Sequence, residues 1–216
     1  MSRRFSSHLF WGSHSPLSAL TGAGLIIMAS SRFSFAILCA GALLWVYGLT
    51  ALVFSASRQI MPNRGRKLIL LFLSAFFCGI FMLLIGFINP LLILGTAFFL
   101  VMVPPCCLGS GFFEASESFP VDEVLYRALL EAAVLAGIIL AIALIREPLG
   151  MGTLSLPGGV QGILEVFDVR KEDTFIPIRF LAASAGGLAL LGYGTALFRY
   201  YRERSGNTPQ SAEGDQ

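Results

Sequence analysis

Pro104-Pro105-Cys106-Cys107 interrupts an otherwise apolar run from Leu91 to Phe113. Two prolines remove two backbone donors and break a helix. In hydrocarbon a broken helix is tolerated only where it is buried in protein or lines a cavity. Paired thiols at such a break are a candidate metal or cluster site. The first apolar run, residues 16–31, is short and has a weak point of its own, Gly22-Ala23-Gly24. Interrupted segments that open two corresponding halves of a membrane protein point to its functional centre.

The rest of the composition agrees with a membrane setting. The 216 residues are 56% apolar and only 13% charged, with a mean hydropathy of +0.77. Soluble domains carry about 25% charged residues. The bilayer is therefore the solvent to reason with. The basic residues sit at run ends, which excludes a nucleic-acid surface. Of the four cysteines, Cys39 and Cys78 fall inside apolar runs and read as small buried hydrophobes. Adjacent Cys106 and Cys107 are too strained a pair to bridge each other. Arg3 and Arg4 are followed by no clear signal-peptide core and cleavage site, so the first run reads as retained.

Six apolar runs follow: residues 16–31, 33–56, 67–88, 91–113, 124–145 and 175–198. Four of them meet the roughly 20 residues that a span needs. The short first and broken fourth read as half-helices or re-entrant segments. Arg3 and Arg4, then Arg58, Arg64, Arg66 and Lys67, then Arg199, Arg202 and Arg204 fall on one side of six crossings. The positive-inside rule makes that side cytoplasmic. The reading is an all-α membrane protein of six transmembrane helices, a 3+3 inverted repeat with interrupted first and fourth helices. Residues 1–204 form one membrane domain with both ends cytoplasmic, and residues 205–216 a disordered polar tail. The loop before the fifth run is acidic (Glu114, Glu117, Asp122, Glu123). The outer loop from Arg146 to Asp173 carries Gly150 and Gly152 and a stretch, residues 163–167, that suits a short helix or strand.

Within the runs, Glu131 is an ionisable residue at membrane depth, a functional candidate by default. Its bland reading is an i, i+4 pair with Arg127. Arg146 and Glu147 read as an interfacial anchor and cap for the glycine-rich turn behind them. Arg179 lies near enough to a run end to snorkel, and His8 and His14 read as surface polar residues. Gly22-Ala23-Gly24 and Ser184-Ala185-Gly186-Gly187 let helices approach closely. No facing histidine pair for haem, no nucleotide-binding fingerprint, no nucleophile–base arrangement and no zinc spacing is visible.

Two stretches carry a family resemblance. Ile145-Arg146-Glu147-Pro148-Leu149-Gly150-Met151-Gly152-Thr153-Leu154 resembles the signature ending the fifth helix of the Rnf/Nqr membrane subunits: Arg-Glu, two apolar residues, Gly, any residue, Gly-Thr-Leu. Cys107-Leu108-Gly109-Ser110-Gly111-Phe112-Phe113-Glu114 resembles that family's Asn-Cys, three residues, Gly-Arg-Ala-Glu, with Cys107, Gly111 and Glu114 in place, Cys106 for the Asn and Phe112 for the Arg. More weakly, Ser15-Pro16-Leu17 through Gly22-Ala23-Gly24-Leu25 is similar to the opening half-helix, which ends in Gly-Leu-Cys-Pro. The matches span about residues 10 to 200. The family's membrane subunits form an inverted pair, and the orientation here looks like that of the N-inside member.

The resemblance implies a subunit, not catalytic alone, of an ion-translocating electron-transport complex in the bacterial inner membrane. It implies an inverted six-helix homologue as partner, flavin-bearing subunits as neighbours, and no nucleic acid. It also implies a [2Fe–2S] cluster shared between the two homologues, each giving one cysteine per half-helix. Glu114, Glu131, Arg146, Glu147, Gly150 and Gly152 become structural or ion-path candidates. At the first ligand position this chain has Gly24, leaving Cys107 and its neighbour Cys106 as the candidate ligands. Both binding one iron would need non-helical backbone, since adjacent helical side chains point about 100° apart. Phe112 also removes a cation that a thiolate cluster would welcome. Three readings stay open: a cluster with altered ligation, a scaffold and ion path without one, and a diverged paralogue with another task. A stand-alone small-solute transporter is the rival from another class, since broken helices and inverted repeats suit it equally.

Overall fold

The chain turns at Asn89-Pro90, and each residue has a chemical reason to be there. Proline has no N–H to leave unpaired in a helix's first turn, and its φ is already helical. The Asn89 side chain accepts from the Leu91 and Leu92 amides at 3.2 and 3.4 Å, and its own N–H closes the preceding helix on the Ile85 carbonyl at 2.8 Å. The computed structural model describes residues 16–57, 65–109, 120–158, 162–168 and 179–206. Its elements are α1 (Pro16–Ala29), α2 (Phe33–Ser57), α3 (Arg66–Ile88), α4 (Pro90–Leu100), α5 (Val103–Gly109), α6 (Val121–Met151), β1 (Thr153–Pro157), β2 (Ile163–Asp168), α7 (Arg179–Ala182) and α8 (Ser184–Gly206).

Four stretches are helical, long and apolar enough to cross a membrane: α2, α3, α4 with α5, and α6. This is the make-up of a multi-pass membrane protein. Phe72, Phe87 and Leu94 turn outward and are 73%, 87% and 81% exposed, a face suited to lipid rather than water.

The breaks fall differently from the pattern in the sequence. α1 runs unbroken through Gly22-Ala23-Gly24. Its 14 residues give about 21 Å of helix against a hydrocarbon core of about 30 Å, so it is short rather than interrupted. The fourth run breaks at Val101-Met102, ahead of the prolines. Pro104 and Pro105 occupy the first turn of α5, where proline's fixed φ suits a helix start. The sixth run is itself divided, at Ala183 between α7 and α8, and α8 continues to Gly206, two residues past the boundary at 204. Residues 207–216 lie outside the described residues.

The fifth run is the largest correction. The hydropathy pattern ends it at residue 145 and places Arg146 at the head of an outer loop. The helix is 31 residues long and carries Arg146, Glu147 and Pro148 within its last turns. It stops at Gly152, whose φ of +70° is the left-handed cap glycine adopts freely, with its N–H on the Pro148 carbonyl. Beyond it, β1 and β2 form an antiparallel hairpin with a bulge between Leu154 and Ser155. Residues 163–167 are thus strand.

α2 and α6 form the centre of the packing. Ala128, Ala132 and Ala136 recur every fourth residue on α6 and are buried. This small-residue ridge brings two helix backbones close without a large side chain between them. Gly48 on α2 meets Leu129 on α6, and the Phe33 amide meets Glu147, so the pair runs antiparallel in a fixed register. Leu43, Val46, Tyr47, Phe54, Leu100, Val103 and Ile139 fill the core around this axis. α1 packs against α5, and α3 against α2, α4 and α5.

Candidate functional site

The break between α4 and α5 leaves backbone to be satisfied. A helical Leu100 carbonyl would accept from the amide of residue 104, and Pro104 has none. The Cys78 thiol on α3 donates to it instead, at 3.2 Å. Cys78 is thus buried, as its place in an apolar run implies, and has a polar task in addition. One turn further on, the Tyr47 hydroxyl of α2 donates to the Cys106 carbonyl at 3.3 Å. Met102 accepts from the Cys106 amide, which starts the ladder of α5.

Cys106 and Cys107 are both buried, at 5% and 1% exposure, and sit on consecutive helical positions. The non-helical backbone that joint ligation of one iron would need is not what they adopt. Cys39 and Cys78 belong to the same core cluster, and none of the four cysteines is in a disulfide. Among the described residues no three Cys, His, Asp or Glu side chains gather as they would around a metal ion. Gly24 is half-buried on α1, with open space where a side chain would begin. The thiols present therefore do not fit a cluster that takes one ligand from each half-helix, because α1 offers none.

Glu131 lies on α6, half-buried, within electrostatic reach of Tyr47, Cys106 and Cys107. The structure thus brings Glu131 to the helix break, which the linear spacing does not show. Arg127 makes a salt bridge with Glu123 at 2.5 Å, one turn towards the start of the helix, a pair the sequence pattern did not single out. Glu114, His8 and His14 lie outside the described residues.

The second polar centre is Arg146 with Glu147, at the other end of α6. Both are buried, at 3% and 1% exposure, rather than standing at an interface as anchors. All five guanidinium N–H groups find acceptors. Nε donates to the Leu181 carbonyl at 2.9 Å; one terminal nitrogen donates to the Ile27 carbonyl at 2.7 Å and Ser30 Oγ at 3.0 Å; the other donates to the carbonyls of Ala182 and Ala183 at 3.0 and 3.1 Å. The cation thus closes the carbonyl ends of α1 and of the α7 turn. Glu147 does the converse: Oε2 accepts the Phe33 amide at the positive end of α2, at 2.5 Å. Ser155 Oγ on β1 receives the next amide, Ser34, at 3.4 Å, and donates to Ser34 Oγ at 3.2 Å.

The glycines behind this centre are spacing devices. A Cβ on Gly150 would lie 2.8 Å from the Ala182 amide nitrogen, and one on Gly187 would lie 3.1 Å from the Arg146 guanidinium. Gly150 therefore lets α7 approach α6 closely enough for its carbonyls to reach Arg146. Gly152 ends α6. Sequence patterning singled out Arg146, Glu147, Gly150 and Gly152 together; it missed the roles of Tyr47, Cys78 and Ser155, which depend on chain segments far from their own. No protein-family model matches the chain, and no curated protein matches it.

Proposed function

We propose that the chain is a membrane subunit of an ion-translocating electron-transport complex of the Rnf/Nqr type. In this reading it spans a bacterial inner membrane six times as a 3+3 inverted repeat. It pairs with an inverted six-helix homologue and adjoins flavin-bearing subunits, and it is not catalytic alone. The observation that carries the reading is the contact between α1 and α5. One is a 14-residue helix, the other the second half of a broken run. Short helices from the two halves, meeting inside the protein, are what an inverted-repeat centre is built from. The Arg146–Glu147 signature contributes by holding α1, α2 and α7 in place around that centre.

Of the forms this role can take, an ion path and scaffold without an electron-carrying cluster is favoured. Cys106 and Cys107 share one helical turn, Gly24 offers no thiolate, and Cys78 is committed to Leu100.

The test is purification of the tagged chain from its native membrane, with identification of what accompanies it. Iron content and low-temperature EPR are compared for wild type, Cys107→Ser and Gly24→Cys. The expected result is co-purification with an inverted homologue and flavin-bearing subunits, no intramembrane [2Fe–2S] signal in wild type, and room for a thiol at residue 24. A [2Fe–2S] signal abolished by Cys107→Ser would establish altered ligation instead. Recovery of the chain alone, from membranes where such a complex is intact, would overturn the family reading.

A further inference from the structure

α8 is held at its start. There the Arg146 guanidinium binds the carbonyls of Ala182 and Ala183, and a Cβ on Gly187 would stand 3.1 Å from it. The helix packs on α7, α1 and α6, and Leu191 still touches the core. Beyond that residue it stands clear of the bundle. Gly192, Tyr193, Gly194, Ala196 and Leu197 are all exposed, at positions that step round the whole circumference by about 100° each. Whatever surrounds the protein therefore touches α8 on nearly every side. The Thr195 hydroxyl asks nothing of water, since it donates to the Gly192 carbonyl at 2.9 Å.

The helix changes character at Arg199. From Ser184 to Phe198 no residue is charged, a stretch of roughly 22 Å. Arg199-Tyr200-Tyr201-Arg202-Glu203-Arg204 then brings three cations and one anion. Tyr200 and Tyr201 are 57% and 61% exposed, and their rings meet edge to face with centroids 5.9 Å apart. Exposed tyrosines of a membrane protein sit at headgroup level, ring towards the hydrocarbon and hydroxyl towards the polar side. Against a hydrocarbon core of about 30 Å, α8 is short by about 8 Å. α1, packed beside it, is short by a similar length, whereas α2 and α3, with 25 and 23 residues, are not. A short stretch is met by local thinning of the bilayer, which brings headgroups to the helix end.

We propose that the Arg199–Arg204 end of α8, with Tyr200 and Tyr201, is a docking surface for anionic phospholipid headgroups drawn about 8 Å below the surrounding membrane surface. The charge balance selects the lipid. A zwitterionic headgroup brings its own ammonium to its phosphate, so it leaves the net positive helix end uncompensated. An anionic headgroup supplies the missing negative charge, and phosphate pairs strongly with arginine. Compensation matters more here than at the ordinary interface, because uncompensated charge grows more costly towards the hydrocarbon. This inference rests on the reading of α8 as the sixth crossing, and the experiment separates the two.

The experiment titrates the purified full-length chain in detergent with phosphatidylglycerol or phosphatidylcholine and counts retained lipid by native mass spectrometry. Wild type is compared with two triple variants. One carries Arg199→Gln, Arg202→Gln and Arg204→Gln; the other carries Arg58→Gln, Arg64→Gln and Lys67→Gln, which removes equal charge from the loop between α2 and α3. Wild type is expected to hold phosphatidylglycerol about tenfold more tightly than phosphatidylcholine. The α8 variant should lose that preference and the loop variant should keep it. Equal retention of both lipids by wild type, or a preference lost in the loop variant and kept in the α8 variant, would overturn the site. Depth is read by spin labels at Tyr193→Cys and Tyr200→Cys in nanodiscs, with the four buried native cysteines left in place. Tyr193 should be reached by oxygen, as in hydrocarbon, and Tyr200 by oxygen and a water-soluble nickel chelate alike, as at headgroups. Tyr200 as deep as Tyr193 would also overturn the site. Tyr193 in water would instead remove the sixth crossing on which the inference rests.

Discussion

The Cys78 thiol donates to the carbonyl of Leu100, the acceptor that Pro104 deprives of its helical donor. A residue of α3 thus completes the backbone of the α4–α5 break from the side. The break is a built feature: the carbonyl that Pro104 leaves without a helical donor has a partner, the prolines stand in the first turn of α5, and Tyr47 holds the next turn. In hydrocarbon such satisfaction is the condition for irregular backbone to exist at all.

This pairing makes Cys78 and Pro104 energetically coupled. Cys78→Ala should destabilise the chain by about 1 kcal/mol or more, by leaving a buried carbonyl unpaired. In a Pro104→Ala background an amide is restored to residue 104, and the same change should become close to neutral. A double-mutant cycle in detergent unfolding measures the coupling. Additive effects would mean that the thiol contact contributes nothing.

Arg146 satisfies five acceptors from two separate chain segments, so its loss should be severe. Arg146→Met is expected to cost about 3–5 kcal/mol, as for removal of one member of a buried polar network. Arg146→Lys should recover only part of this, because an ammonium has three donors and no planar fork. Protease accessibility of the α1–α2 turn and of Ala183, together with the unfolding midpoint, reports the loss. A Lys variant as stable as wild type would contradict the five-bond geometry.

Glu147 holds the start of α2 rather than a charge partner. Glu147→Gln keeps an acceptor oxygen for the Phe33 amide and should be mild. Glu147→Ala should cost about 0.5–2 kcal/mol, the range for loss of an N-cap. Hydrogen exchange at Phe33 and Ser34 should quicken in the Ala variant and stay close to wild type in the Gln variant. Equal exchange in all three would place the helix cap elsewhere.

Gly150→Ala should destabilise by about 1–3 kcal/mol, the range for overpacking, because its Cβ would stand 2.8 Å from backbone that cannot yield cheaply. Gly137 on the same helix has nothing within 4 Å of that position, so Gly137→Ala should be neutral or stabilise by up to about 1 kcal/mol. Thermal unfolding of the two variants side by side separates a contact glycine from a tolerated one.

Orientation is open to direct labelling. In a cysteine-free background, Lys67→Cys and Glu165→Cys are both exposed positions at opposite ends of the α2–α6 axis. An impermeant thiol reagent should reach residue 165 from outside the cell and residue 67 only after the membrane is opened. The reverse pattern would invert the positive-inside assignment.

Composition and apolar run length were enough to settle the membrane setting and the helical class, because hydrocarbon admits few other structures. The Asn89-Pro90 corner was legible for the same kind of reason: its chemistry is local. The Arg146–Glu147–Gly150–Gly152 cluster stood out in the sequence, but its meaning did not. Read linearly, Arg-Glu-Pro looks like the edge of a loop. Only folding brings the carbonyls of residues 27 and 181–183 to Arg146 and the amide of Phe33 to Glu147, and this turns an apparent loop into the buried end of a 31-residue helix. In the same way Pro104-Pro105 announced a break, while its position, its cap by Cys78 and the approach of Tyr47 and Glu131 depended on packing between helices distant in the chain. Hydropathy records what each residue prefers as a solvent. Which polar atom finds which partner is decided by the register and crossing of helices, and that information appears only in three dimensions.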